Sequence, residues 1–346
     1  MTRAIGTADS GDSGDSGDSG DSGSFDGGGG SISLASPVIR PIGVSPVPWQ
    51  NVGEDFFRGN KWPPADLVWT NPGQPPVPWT YANTKQFPRS AWTGYFLSVA
   101  VLAEFVKATA TDAANAPPTY QWDEIDIPDW QTFTAAQIEH ELYQLYKLID
   151  YRPGVMAEAL AEIQGIQAYW QGLLMSSVRS HPATTYLMHI AIHIGEFQAM
   201  HYKYKWPDPV THKTGYGRPR ASQLSPVLMP PIAVPGHASY PSGHSTQTHL
   251  LSGLMAQVMP AAVTTALPIN ATPKPAPAFQ PPIVPVAPAS LLDRLAERVS
   301  RNREVLGLHY PSDTRAGKIV ADRSLTLLLQ CPTVIDLIAA AKQEWL

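Results

Sequence analysis

Three short stretches of this chain carry the residue types that hold and transform a small, multiply charged anion. They are KTGYGRPRASQ at 213–223, PGHASYPSGHSTQ at 235–247 and NREVLGLHYPSDTRAG at 302–317. Each combines cationic or hydroxyl side chains with Gly or Pro at a helix boundary. Arg offers a planar fork of donors and Lys a point charge. A helix N-terminus adds backbone N–H groups and a favourable dipole. In the second stretch Pro241 stiffens the approach, Ser242 can donate its hydroxyl, Gly243 lets backbone come close to an oxygen, and His244 opens a helix. In the third, Arg303 and His309 lie six residues apart, so the helix is expected to end near Gly307 and turn His309 inward. Asp313, four residues further on, is placed to accept a hydrogen bond from one His309 ring nitrogen and leave the other free to attack or coordinate.

The elements that must position these groups read as helices. Apolar residues recur at helical spacing over Ser90–Thr109, including Trp92, Phe96, Val99, Leu102 and Val106. Residues 134–150 and 154–178 form two amphipathic helices separated by Tyr-Arg-Pro-Gly. Further helices are expected at Thr184–Tyr204, His244–Val258, Ser290–Leu308, 312–329 and 333–345, with a Pro/Ala-rich loop at about 260–288. Almost nothing alternates with period two, so the expected fold class is all-α, a bundle of roughly eight helices over residues 90–346. Residues 36–90, dense in Pro and Trp, read as an extended segment wrapping that bundle. Residues 1–35 contain five consecutive Asp-Ser-Gly copies and a Gly-rich run, which offer nothing apolar to bury and read as a disordered arm.

Composition narrows the function classes. The formal charge is -5, and residues 1–26, with six Asp and one Arg, account for all of it, so no global basic surface points to nucleic acid. No apolar run reaches the ~18 residues of a bilayer span, and the N-terminus lacks the apolar core of a signal peptide. The expected localisation is therefore soluble, cytoplasmic by default, with export by another route left open. The single cysteine, Cys331, excludes an intrachain disulfide and a multi-thiolate metal site, and its apolar surroundings read as a buried, inert thiol. His189 and His193, four apart on one helix, share a face, but their context reads as core or interface rather than metal ligands. His249 reads as a residue behind the pocket, and the Asp123, Glu124, Asp126, Asp129 cluster as a solvated loop without calcium-site spacing.

Taken in order, the three stretches resemble the signature shared by vanadium haloperoxidases and type 2 phosphatidic acid phosphatases. That signature is Lys, six residues, Arg-Pro; then Pro-Ser-Gly-His; then Ser-Arg, five residues, His, three residues, Asp. Pro241-Ser242-Gly243-His244 and Arg303, His309, Asp313 match the second and third parts, and Lys213 stands seven before Arg220. Ala221 replaces the Pro of the first part and Asn302 the Ser of the third. Lys213 is favoured by spacing, while Lys203 and Lys205, at the end of the preceding helix, are alternatives for the same role.

The resemblance implies vanadate, or phosphate in its place, held by Lys213, Arg220, Ser242, Gly243 and Arg303. It implies His309 bonded axially to vanadium or attacking phosphorus, His244 as acid–base on the opposite apical oxygen, and Asp313 orienting His309. His237, seven before His244, is where bromoperoxidase members tend to carry His and chloroperoxidase members Phe. The implied function is oxidation of bromide or iodide with hydrogen peroxide. Hydrolysis of a phosphomonoester through a phospho-His309 intermediate is the alternative, and a non-catalytic oxyanion-binding or scaffold protein the third. No membrane insertion is implied, and the apolar helix faces permit a homodimer.

Overall fold

In a computed structural model of the protein, the structure describes residues 68–69, 77–78, 92–111, 119–265 and 290–346. The Asp-Ser-Gly arm, most of the Pro/Trp-rich segment and most of the Pro/Ala-rich loop lie outside these residues. Within the unit Ser24–Trp92, the described residues are two short strands, β1 (Val68–Trp69) and β2 (Val77–Pro78), paired antiparallel with Val68 opposite Pro78.

The larger unit, from Thr93 to Leu346, is helical as expected. Its elements in order are α1 (Gly94–Phe105), the antiparallel pair β3 (Ala110–Thr111) and β4 (Thr119–Tyr120), α2 (Ala135–Tyr146), α3 (Arg152–Gln164), α4 (Gln167–Leu174) and α5 (Pro182–Lys205). After these come one-turn α6 (Ala221–Leu224), α7 (Gly243–Met255), one-turn α8 (Ala261–Thr264), α9 (Leu291–Val305), α10 (Pro311–Leu328) and α11 (Pro332–Gln343). Among the described residues no single helix is long and apolar enough to cross a membrane; α10 and α11 meet both conditions only as a pair, bent by 90°.

Starts and stops follow local chemistry. Thr134 and Gln137 close a capping box on α2, and Ser290 with Asp293 does the same on α9. Pro182, Pro311 and Pro332 open α5, α10 and α11, where the missing N–H costs nothing. The expected single helix over 154–178 is instead α3 and α4, broken at Gly165. This residue adopts φ 171°, ψ 97°, so the backbone leaves the helical region there while Ala161 still receives its N–H.

The bundle is organised around α7, which packs against α5, α9 and α10. Of its 13 residues all but Gly253 are buried, polar ones included. Close approach of two partners depends on glycine. A Cβ on Gly195 of α5 would lie 2.8 Å from Gln247 Cα, and one on Gly317 of α10 would lie 2.6 Å from the Ser242 carbonyl oxygen. The apolar core joins α1, α4, α5, α7, α9, α10 and α11 through Phe105, Trp170, Leu187, Met188, Leu250, Leu254, Val299, Leu328 and Leu337. Each such side chain contributes ~1.5–3 kcal/mol on burial. Trp170 keeps its indole N–H satisfied by Ser252 Oγ at 3.0 Å. Cys331 sits in this core, its thiol pushed up to about 12 by burial. The apolar residues of α7, Leu250, Leu251, Leu254 and Met255, thus fall in its C-terminal half, and its N-terminal end is left to polar groups.

Candidate active site

That polar end is where the three stretches meet. Two helix N-termini converge there, those of α7 and α10, tied together by Ser242 N–H donating to the Asp313 carbonyl at 3.0 Å and Ser245 Oγ donating to the Thr314 carbonyl at 2.8 Å. Ser242 caps α7, accepting from Ser245 N–H with its side-chain oxygen and keeping its own hydroxyl proton to donate. Gly243 follows as the first helical residue.

The α9 terminus delivers His309 as the spacing requires. The helix ends at Val305, and Gly307 takes φ +74°. Leu308 N–H returns to the Arg303 carbonyl and Gly307 N–H to the Glu304 carbonyl, the paired bonds of a Schellman stop. Gly is suited to this position because its left-handed backbone would strain any other residue. The turn is held from outside by Arg152, whose guanidinium donates to the carbonyls of Val305, Leu228 and Met229. His309 is thereby buried beside the start of α10.

Ring chemistry then follows from the partners. Asp313 Oδ2 lies 3.2 Å from His309 Nδ1, and a carboxylate can only accept, so Nδ1 carries the proton. The bare Nε2 faces Arg220 Nη1 at 3.3 Å. Burial first, and then the Arg220 charge, hold the His309 imidazole down to about 3, so it is neutral at ordinary pH. Asp313 also accepts from Ser239 Oγ, from Tyr310 N–H at 3.0 Å and, on Oδ1, from Arg218 at 2.8 Å. Although burial alone would push it up, Arg218 foremost among these partners holds its carboxyl well below the usual range.

His244 contacts Arg303 through Nε2 and Nη2, which makes Nε2 the acceptor. Its imidazole is held far below the ordinary value by burial and then by Arg303, His309, Lys203 and Arg220. Arg303 is held in turn by Glu162 of α3, 3.6 Å away, and Asn302 donates to the same carboxylate at 2.6 Å. Burial raises Glu162 to about 7, with Arg303 opposing.

Arg220 fans over the remaining wall. It donates to the carbonyls of His237 and Leu308, both at 3.0 Å, and lies 3.1 Å from His237 Nδ1. His237 Nδ1 lies between Arg220 Nη2 and the Ala238 carbonyl, 3.2 Å away, and accepts from the first or donates to the second according to its tautomer. His237 lines, with Gly236, Pro235, Val234, Gly217 and Gln223, an open cavity of about 530 Å³ outside Arg220.

Comparison of the sequence with family models gives no match, and comparison with curated proteins gives none. The site therefore stands on its geometry. Of the residues expected there, Arg220, Ser242, Gly243, His244, Arg303, His309 and Asp313 are brought together, with His237 against Arg220.

Lys213 is the correction. It is exposed, in the turn bridged by Pro207 and Thr214, and its backbone carbonyl accepts from Asp208 N–H. The buried lysine is Lys203, in the last turn of α5, donating to the carbonyls of Ala238 and Ser239 and acting on both imidazoles by its charge. Lys205 is exposed and reaches the Asp123 carbonyl. The motif spacing misled because residues 206–217 form a surface turn between the end of α5 and the arginines, so the helix end supplies the cation.

Arg218 and Glu141 were missed altogether. Arg218 lies two before Arg220 on the same extended stretch, a spacing that puts both side chains on one side, and both are buried. Glu141 stands in the apolar stripe of α2 between Ile138 and Leu145, where a carboxylate needs a buried partner.

The residues declined as ligands stay apart from the cluster. His193 Nδ1 contacts the His189 carbonyl at 2.9 Å and Ser98 Oγ, while His249 bridges the Ser245 carbonyl and Glu297. Asp129 caps a one-turn 3-10 helix. Among the described residues no group of three or more His, Cys, Asp or Glu is placed to hold a metal ion.

Proposed function

We propose that this protein is a vanadate-dependent haloperoxidase-like enzyme that oxidises bromide or iodide with hydrogen peroxide. The single observation that carries the reading is the pairing of a neutral, Asp313-held His309 with His244 inside a wall of buried cations. Beyond burial, the charges of Arg220 and Lys203 depress both imidazoles and Arg303 depresses His244, so cationic groups surround the pair. A tetrahedral oxyanion would offset their charge, and the donor set of two guanidiniums, one ammonium, the Ser242 hydroxyl and the Gly243 amide suits its non-bridging oxygens.

The bare Nε2 of His309 would hold the vanadium, with Asp313 fixing the ring so that this nitrogen keeps its lone pair. Vanadate, when bound, supplies Lewis-acid activation of peroxide without a change of oxidation state. The chain's own part is to bind, to orient and to move protons. Arg220 and Arg303 would neutralise oxygen charge, and His244 would give or take a proton. His237, against Arg220 and lining the open cavity, would tune halide reactivity.

A second reading is favoured by one observation, the unprotonated Nε2 of His309, which accepts from Arg220. The same arrangement suits in-line attack on a phosphomonoester: the Nε2–P bond forms as the ester P–O bond breaks. A bound phosphate dianion would return His244 toward its protonated form, which would protonate the leaving oxygen; the neutral ring left behind would then take the proton of the water that hydrolyses phospho-His309.

The experiment incubates the protein with orthovanadate and follows monochlorodimedone bromination with peroxide and bromide or iodide, against p-nitrophenyl phosphate hydrolysis without vanadate. Halide oxidation supports the first reading. Phosphate release with no halide oxidation supports the second. Absence of both with retained vanadate binding would leave only the oxyanion-binding role.

A further inference from the structure

Beyond the residues that face an anion, a chain of alternating charge leads outward from His309. Asp313 Oδ1 receives Arg218 Nη1 at 2.8 Å, and the other guanidinium nitrogen, Nη2, donates to Glu141 Oε2 at 2.9 Å. Arg218 also donates to Ser312 Oγ at 2.6 Å, and its guanidinium carbon lies 3.7 Å from the Tyr310 ring centroid. Glu141 in turn accepts Ser312 N–H and Ser312 Oγ, both at 2.7 Å, at the start of α10. All three charged groups are buried. Only Glu141 reaches outward, to an open cavity of about 480 Å³ shared with Phe133, His140, Gln144 and Arg315.

We propose that Arg218 and Glu141 are a positioning pair that sets the strength of Asp313 as hydrogen-bond acceptor, and through it the tautomer of His309. The proposal rests on the reading of His309 as the reactive imidazole. The physical logic is one of competition. Asp313 divides its electron density among Arg218, Ser239, Tyr310 N–H and His309. Arg218 divides its charge between two carboxylates, so the presence of Glu141 weakens its hold on Asp313 and leaves more acceptor strength for His309 Nδ1–H. A bridge that served only to pin α2 to α10 would not depend on the sign of the charge removed.

The test reads the ring itself, in protein with no vanadate, halide or phosphoester present. Histidine-labelled protein at neutral pH is examined by two-bond 15N–1H correlation, with His309 assigned by its loss in His309→Ala. The expected wild-type pattern is a protonated Nδ1 and bare Nε2, with the Nδ1–H proton strongly downfield. Glu141→Gln leaves Arg218 wholly to Asp313 and is expected to move that proton upfield. Arg218→Gln removes the competing cation and is expected to move it further downfield. The double variant is expected to fall between the two.

Shifts of the same sign, or an unmoved proton in Glu141→Gln, overturn the proposal. Should Arg218→Gln not fold, Glu141→Gln decides by itself. Opposite shifts in a protein inactive in every assay would remove the proposed function and leave this coupling standing. An unmoved proton in an active enzyme would do the reverse.

Discussion

Two pairs of histidines in this molecule show how little proximity decides. His189 and His193 sit four apart on α5 with rings stacked at 6.3 Å, while His244 lies in the first turn of α7 and His309 in the turn between α9 and α10. The first pair looks the more purposeful in sequence. Yet His193 meets the Tyr95 ring edge-on and places its Nδ1 near Ser98 Oγ and the His189 carbonyl. The second pair has its ring nitrogens assigned by charged groups: Asp313 and Arg220 for His309, Arg303 for His244. Helical spacing brings rings together, whereas fixed tautomers in a charged, buried setting are what a reactive imidazole requires.

That contrast can be broken most severely at His309. His309→Ala is expected to remove turnover of either kind by at least ~10²–10⁴-fold, the contribution of a positioned acid–base or nucleophile. His189→Ala and His193→Ala are expected to leave it unchanged, and steady-state kinetics under the two assays reads both. Close behind comes Asp313→Asn, which keeps the shape but permits the wrong tautomer. The cost expected is up to ~10⁴-fold in kcat, as in other enzymes where an orienting carboxylate is amidated.

Lys203→Ala is expected to weaken vanadate or phosphate binding by ~10–100-fold, the loss of one charge-assisted hydrogen bond. Lys213→Ala is expected to leave affinity unchanged, with titration calorimetry as the readout. A smaller effect is expected of His237→Ala, which should shift the ratio of bromide to iodide turnover and spare phosphate binding.

The same contrast has a pH signature. His309 and His244 have folded-state values depressed below the ordinary 6.5, so the unfolded chain binds more protons below that value. Their contribution to stability is therefore full above pH ~6.5 and falls as pH drops toward about 3, where His309 itself titrates. Glu162 acts in the opposite sense: its value, raised from 4.5 to about 7, makes its contribution full below 4.5 and lost as pH rises through 7. Thermal melts are expected to show destabilisation below pH ~6.5 that saturating phosphate reduces, because an anion favours the protonated imidazoles. Glu162→Gln should remove the opposing slope.

Much of this arrangement was legible in the sequence because it is local. The Schellman stop at Gly307, the cap at Ser242 and the four-residue step from His309 to Asp313 are each written within a few residues. The long helix α5 is legible as well, through its apolar residues on every side. What was hidden depends on distant partners. Lys203 could not be chosen over Lys213 without knowing that residues 206–217 form a surface turn. Arg218 acquires its role from Glu141, which is 77 residues away in sequence. Glu162 meets Arg303 only because α3 packs on α9. Buried carboxylates in apolar stripes were the available signal, and they mark a partner without naming it.

The central claim is that the polar end of α7 is an oxyanion pocket built on His309. It is met most directly by calorimetric titration of orthovanadate into the full chain at neutral pH, with phosphate as competitor. The account predicts one saturable site per chain, displaced by phosphate, lost in His309→Ala and Arg220→Ala and intact in His189→Ala. Absence of saturable binding, or equal affinity in His309→Ala, would contradict it.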